Sequence, residues 1–337
     1  MNSNEEWLLT NKEEALEPNL PICDPHHHLW DFNKTYIEET YLLPDILKDT
    51  ESGHNIVSTV FIECGAMYNP EHSIEDQVIN ETEFVNGIAA MSNSGLYGKT
   101  KIAKGIVGSA PLLFGDKVAN ILDKHISIAP KRFKGIRSQA AMHPDGTIPS
   151  TRARPIEGVY INDMFHQGFA HLEPRNLSFE AWCYHPQLPQ LIQLAKKFPN
   201  TSIILNHFGG PLGIGSFTDK EEETYSFWEK HITELSKCEN VVAKLGGIAM
   251  EINGFKWHLN KKAPSGLELI NRTKRYYEKT LDLFGIDRCM FESNFPVDKI
   301  SCSYVNLWNG FKLLTKDYSP DERTKLFHDN ATRIYKL

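Results

Sequence analysis

Several features are missing from this chain. No apolar run reaches the roughly 20 residues that a membrane-spanning helix needs, so no membrane partner is expected. No block of lysine and arginine is interleaved with aromatics, and 36 Lys+Arg against 43 Asp+Glu leave a net charge of −7, so the electrostatic footprint of a nucleic-acid binder is absent. The six cysteines, Cys23, Cys64, Cys183, Cys238, Cys289 and Cys302, include no Cys-x-x-Cys pair. In a chain of this size they read as core residues of a reducing compartment, and disulfides are not expected. No Gly-rich dinucleotide fingerprint follows any apolar run, which weakens an open doubly wound sheet. The start, Met1-Asn2-Ser3-Asn4-Glu5-Glu6, has no basic region leading into an apolar stretch. A soluble, cytoplasmic protein acting on a small molecule is expected, with homo-oligomerisation left open.

What is present is a repeated alternation. The 337 residues are 41% hydrophobic, enough for a sizeable core. Short β-branched runs begin near Ile22, Ile56, Ile102, Phe133, Leu177, Thr201, Val241 and Arg288. Amphipathic stretches with a period near 3.6 separate them, such as Ile74, Val78, Val85 and Ile88. Eight strands with intervening helices predict an α/β fold, a (β/α)8 TIM barrel with local distortion allowed. The barrel spans residues 1–337 as one domain, with 1–19 as an N-terminal extension. Ser319-Pro320-Asp321-Glu322 combines an N-cap, a proline at the first helical position and a glutamate three residues on, so a last helix should close the barrel through Leu326, Phe327, Ile334 and Tyr335. Two connections, His143 to Asn176 and Asn253 to Gly266, are unusually long and should form walls or lids at the catalytic face.

The chemistry concentrates where strands end. Asp24-Pro25-His26-His27-His28-Leu29-Trp30-Asp31 follows the apolar stub Leu20-Pro21-Ile22-Cys23. Alternate side chains of a strand face the same way, so His26 and His28 can converge while His27 points away. Such a pair is half of a metal site or a polar catalytic floor. Further strands end in Glu63, Arg137, Asn206-His207 and Glu292-Ser293-Asn294, one leads to His185, and one contains Lys244. Arg137 or Lys244 could instead serve a helix terminus or an ion pair, and His185 a cap region. His207 is followed by Phe208-Gly209-Gly210-Pro211, glycines that let the backbone approach a ligand. Glu63 closes an apolar strand, where a buried carboxylate needs a partner or a task.

Asp24-x-His26-x-His28-x-Trp30, Lys134-Gly135-Ile136-Arg137, Asn206-His207-x-Gly209-x-Pro211, Lys244-Leu245-Gly246-Gly247 and Met290-Phe291-Glu292-Ser293-Asn294-x-Pro296 resemble, in order, the signature stretches of the amidohydrolase-related TIM-barrel hydrolases. The resemblance is closest to the sugar-lactonase-like branch with L-fucono-1,5-lactonase, 4-sulfomuconolactone hydrolase and 2-pyrone-4,6-dicarboxylate lactonase, and it runs from Pro21 to Leu337. It implies that His26, His28 and His207 ligate a metal or polarise the substrate carbonyl. Arg137 then faces an anionic substrate group, with Lys244, His185 and Trp30 as further substrate contacts. The chain departs from the pattern at the last strand, where relatives carry an aspartate as base and ligand and this sequence has Asn294, and before His207, where Asn206 stands for a common aspartate. One divalent ion, Zn²⁺ or Mn²⁺, is therefore expected but weakly held. Glu63, Glu292 and Asp298 are the substitute carboxylates, with Glu63 first as general base.

The resulting expectation is hydrolysis of a lactone of a small polar or carboxylated metabolite, catalysed by His26, His28, Glu63, His207 and Asn294. Metal-assisted decarboxylation of an unsaturated or aromatic acid is the alternative, because the aminocarboxymuconate-semialdehyde decarboxylase group shares the first-strand His-x-His. A barrel that binds its ligand without turnover is the third.

Overall fold

The computed structural model describes residues 3–31, 40–151 and 156–337. Eight parallel strands form one sheet in sequence order: β1 (Pro21–His27), β2 (Asn55–Ile62), β3 (Lys101–Ser109), β4 (Phe133–Arg137), β5 (Ser178–Ala181), β6 (Ile203–Leu205), β7 (Val241–Leu245) and β8 (Cys289–Phe291). The ends meet just beyond β8. Asn294 N donates to His26 O at 3.0 Å and His28 N to Phe295 O at 2.8 Å, making a nearly closed (β/α)8 barrel. The eight strand positions read from the sequence are all present.

Helices pack around the sheet for reasons visible in their sequences. Gly266–Phe284 starts at a capping box, Ser265 Oγ accepting from Glu268 N while Glu268 Oε2 accepts from Ser265 N at 2.7 Å. Its Leu269, Ile270, Thr273, Tyr276, Tyr277, Thr280, Leu281 and Phe284 recur at helical spacing and are buried. The Ser319–Glu322 capping box forms as expected, but the helix then passes through a π turn, Lys325–Asp329, before Asn330–Ile334. Leu326 and Phe327 join the layer between strands and helices. Ala331 and Tyr335 instead enter the barrel from its N-terminal end and pack on the interior Cys23, Val60, Ile62, Val107, Ile204, Val242 and Met290.

Above that apolar layer three strands turn polar two residues on: Ile204 is followed by Asn206, Val242 by Lys244 and Met290 by Glu292, the spacing of two that inward positions share. β1 breaks the period. Asp24 lies opposite Thr59 but His27 opposite Phe61, three steps against two, so β1 carries one extra residue in a β-bulge. Cys23 faces inward and Asp24 outward, where its Oδ2 accepts from Ser293 Oγ at 2.6 Å and Tyr304 OH at 2.9 Å. Without the bulge His26, three residues after Cys23, would point outward; with it His26 faces the barrel axis.

Residues 3–20 lie against the outside of the barrel. Trp7 Nε1 donates to Asn260 O at 2.7 Å, Asn11 Nδ2 to Ala263 O at 3.0 Å, and Lys312 Nζ to Leu16 O at 2.7 Å. The extension thus pins the long connection after β7. No helix among the described residues is long and apolar enough to cross a membrane.

Candidate active site

Three side chains from three strand ends converge at the polar layer. His26, His207 and Glu292 each offer an atom within 4.8 Å of the others, and all are buried. His207 Nδ1 lies 2.8 Å from Glu292 Oε1 and His26 Nδ1 lies 2.8 Å from Glu292 Oε2. The His26 contact is out of line for a hydrogen bond, and Oε2 is a buried oxygen without a hydrogen-bond donor among the described residues. Such an orphan is costly unless something else meets it. Two imidazoles and a carboxylate are a common donor set for zinc, so the residues present fit a divalent ion. Burial, reinforced by Lys244 or Arg137, holds His26, His28 and His207 well below the ordinary imidazole range, so all three are neutral and carry a lone pair for a metal or a proton. Burial pushes Glu292 up to about 7 against the opposing pull of Lys244.

The backbone is bent to make this meeting. His207 and Phe208 are left-handed, with φ of 50° and 57°, an uncommon state for non-glycine residues that persists where the surroundings enforce it. Gly247, at φ 64°, passes so close that an added Cβ would lie 1.9 Å from His207 Nδ1. Any side chain there would displace the imidazole.

Around the three residues the other expected positions divide. His28 Nδ1 donates to Ile62 O at 2.8 Å, leaving Nε2 as an acceptor. Its ring lies 5.0 Å from that of His26, and Trp30 stacks on its other side at 5.8 Å. Arg137 Nε donates to Glu63 Oε1 at 2.6 Å and Nη2 donates to Glu63 O, while Nη1 approaches His26 Nε2 at 3.4 Å. Glu63 is therefore paired with Arg137. Lys244 is fully buried, with its ammonium on Pro25 O at 2.8 Å, Glu180 Oε2 at 3.0 Å and His26 Nδ1 at 3.2 Å. His185 stands apart, lining a recess of about 380 Å³ with His143, Phe217 and Phe227. A larger cavity of about 690 Å³ opens near Phe133, Leu177, Ser202 and Arg288, at the N-terminal strand ends. Catalytic groups of such barrels gather at the other end, so volume does not mark the site.

Both asparagines that replace expected aspartates have donor roles. Asn206 Nδ2 donates to Glu180, and Asn294 Nδ2 to Asp298 Oδ1 at 2.8 Å. An ionised aspartate could do neither. The carboxylate of the cluster comes from Glu292 instead. Glu180, a fully buried acid on β5, joins this polar layer without being among the expected site residues. Its signal was available, since an acidic residue inside the apolar run Leu177–Tyr184, in step with Ser178, must face the barrel interior.

Comparison with known proteins gives the family and supports the fold. The model of the Amidohydrolase family Amidohydro_2 matches residues 23–337. The uncharacterized protein y4mH of Sinorhizobium fredii is 32% identical over 337 residues, covering 95% of this chain and 99% of its own. L-fucono-1,5-lactonase of Burkholderia multivorans is 26% identical over 179 residues, 51% of this chain and 56% of that enzyme; the alignment thus spans about half of each. A solved amidohydrolase from Burkholderia multivorans with bound zinc superposes with a TM-score of 0.70 at 20% identity, covering 94% of this chain and 99% of that one, which speaks to the fold. From residue 23 to its last residue, the chain belongs to the amidohydrolase family.

Proposed function

We propose that the protein hydrolyses an uncharged lactone of a polyhydroxy acid. The observation that carries this reading is the His26–Glu292–His207 cluster beside an arginine whose charge is already met by Glu63. A guanidinium so paired attracts a carboxylated substrate much less than a free one would. The lactonase-named relatives support the same reaction class.

His26, His207 and Glu292 are the residues to hold a divalent ion, which when bound supplies Lewis acidity at the reacting carbonyl and lowers the pKa of water. Glu292 accepts the proton of the attacking water, the carboxylate role that the sequence left open among Glu63, Glu292 and Asp298. Arg137 has five N–H groups; two donate to Glu63, and N–H groups left over stabilise the oxyanion as the carbonyl becomes tetrahedral. His28 Nε2 accepts a substrate hydroxyl, and Trp30 walls that side. Glu63 holds Arg137 in place, and Lys244 acts from beneath rather than on substrate.

A panel of neutral aldonolactones, L-fucono-1,5-lactone and L-rhamnono-γ-lactone among them, assayed by proton release against 2-pyrone-4,6-dicarboxylate, tests the proposal. Acid production from a neutral lactone is expected. Turnover confined to the dicarboxylate would remove the charge argument, CO2 release from an unsaturated acid would establish the decarboxylase, and tight binding without product a binding barrel.

A further inference from the structure

Three fully buried groups lie beneath the histidines without a part in the chemistry above: Glu180, Lys244 and Tyr335. They form a chain of contacts. The Tyr335 hydroxyl donates to Glu180 Oε1, Asn206 Nδ2 donates to Glu180 Oε2, and Lys244 Nζ lies 3.0 Å from the same Oε2. The ammonium is also 5.5 Å from the centre of the Tyr335 ring, within cation–π range. It donates to Pro25 O, is ion-paired with Glu180 Oε2 and lies 3.2 Å from His26 Nδ1, so it is fully surrounded and does not face substrate. Glu292 Oε2 is the other anion in reach, at 3.8 Å.

We propose that the C-terminal segment is part of the active site: Tyr335 and Asn206 fix Glu180, Glu180 tethers Lys244, and Lys244 so held supports His26 and keeps off Glu292. Glu180 and Tyr335 are then positioning residues. The inference rests on the reading of His26, His207 and Glu292 as the reactive cluster.

Electrostatics sets which carboxylate holds Lys244. A buried ammonium must face a counter-charge, and two carboxylates compete for this one. Attraction falls with distance, so the nearer Glu180, itself immobilised by two donors, wins. The tail that brings Tyr335 is anchored for the purpose, Asn330 Nδ2 donating to Ile286 O at 2.7 Å and Cys289 O at 2.8 Å around the start of β8. Take away the charge of Glu180, and the ammonium's nearest anion becomes Glu292, where it competes with any cation for Oε2 and leaves His26.

The test uses the full-length protein, with Glu180→Gln, Tyr335→Phe and the double variant Glu180→Gln/Lys244→Met, which removes the buried pair as a unit and so keeps the fold. In chelator-treated protein with ¹⁵N-labelled histidine, the His26 signal, identified by its loss in His26→Gln, should shift in Glu180→Gln and, less, in Tyr335→Phe. Zinc affinity by titration should fall about tenfold or more in Glu180→Gln, as losses behind a ligand commonly do, and recover in the double variant. Ile334→Ala, a packing change on the same segment, should lower the melting temperature and leave the His26 signal in place. An unchanged His26 signal in both Glu180→Gln and Tyr335→Phe, or a double variant binding zinc no better than Glu180→Gln, overturns the proposal. Should Glu180→Gln fail to fold, Tyr335→Phe decides by the same signal. A wild-type protein that takes up no zinc would overturn the metal reading of the cluster, while the His26 signal still judges the relay.

Discussion

Asn294 turns its side-chain amide onto Asp298 Oδ1, 2.8 Å away, and so away from the histidines. Asp298 is buried and also accepts from Ala249 N at 3.1 Å. Burial pushes its carboxyl up to about 8. The last-strand position where the family resemblance leads one to expect an acid is thus tied into a structural pair, and Glu292, two residues earlier, supplies the acid that faces His26 and His207. Each step of that substitution can be tested.

Glu292→Gln should keep the fold and abolish function. The amide retains the shape and one acceptor but loses the charge, so bound metal should fall to substoichiometric levels and turnover by about a hundredfold or more. Metal analysis together with lactone hydrolysis checks this, and a variant that keeps its metal and its rate would take Glu292 out of the mechanism.

Glu63→Gln discriminates between the two candidate bases. If Glu63 only steadies Arg137, turnover should drop by about tenfold, mostly in kcat, since Gln can still accept from Nε. A fall of two to four orders, the usual worth of a general base, with metal content intact, would return that role to Glu63.

Asn294→Asp should not restore a tighter site. The new carboxylate would sit against Asp298, and two acids sharing one place cannot both ionise. A loss of about 1–3 kcal/mol in chemical denaturation is expected, relieved by adding Asp298→Asn. Increased stability of the single variant would show that the Asn294–Asp298 pair is not what keeps the acid out.

Metal should be removable. With three protein donors in place of four, dialysis against a chelator should strip the ion and the activity, and added Zn²⁺ or Mn²⁺ should restore both. Retention of a stoichiometric ion through chelation would contradict a site of this coordination.

The turn that carries Glu63 has its own titrating group. Glu81 Oε1 accepts from Cys64 N at 2.9 Å and Ala66 N at 2.8 Å, and its other oxygen is buried without a donor among the described residues. Burial, then the Glu63 charge, raises its pKa above the ordinary 4.5. The folded protein therefore holds a proton that the unfolded chain has lost, and stability falls as pH rises from that range until Glu81 ionises. Glu81→Gln keeps Oε1 as acceptor and should flatten the dependence, with melting temperatures above wild type at pH 8 and closer to it at pH 5. Parallel pH profiles for the two proteins would refute this.

Much of the site was legible because the polar residues interrupt apolar strands at intervals of two. His207 and Glu292 end such strands, and the barrel's handed arrangement brings strand ends together whatever lies between them. The partners were harder to see. Whether Arg137 meets Glu63 or a substrate depends on rotamers and neighbours that no spacing encodes, and His185 follows a strand yet points into a different recess. Tyr335 was legible as a barrel-closing residue, but its hydroxyl reaches Glu180 from a last helix that first passes through a π turn, unannounced by composition.

The extra residue in β1 also bears on where such a site could be rebuilt. His26 reaches the axis through a one-residue slip between Asp24 and His27, so the motif is a length of backbone as much as a set of letters. Copying the histidines onto a regular barrel strand, in step with its apolar residues, would send the imidazoles into the helical layer. A designer would have to transplant the irregularity first and the histidines second.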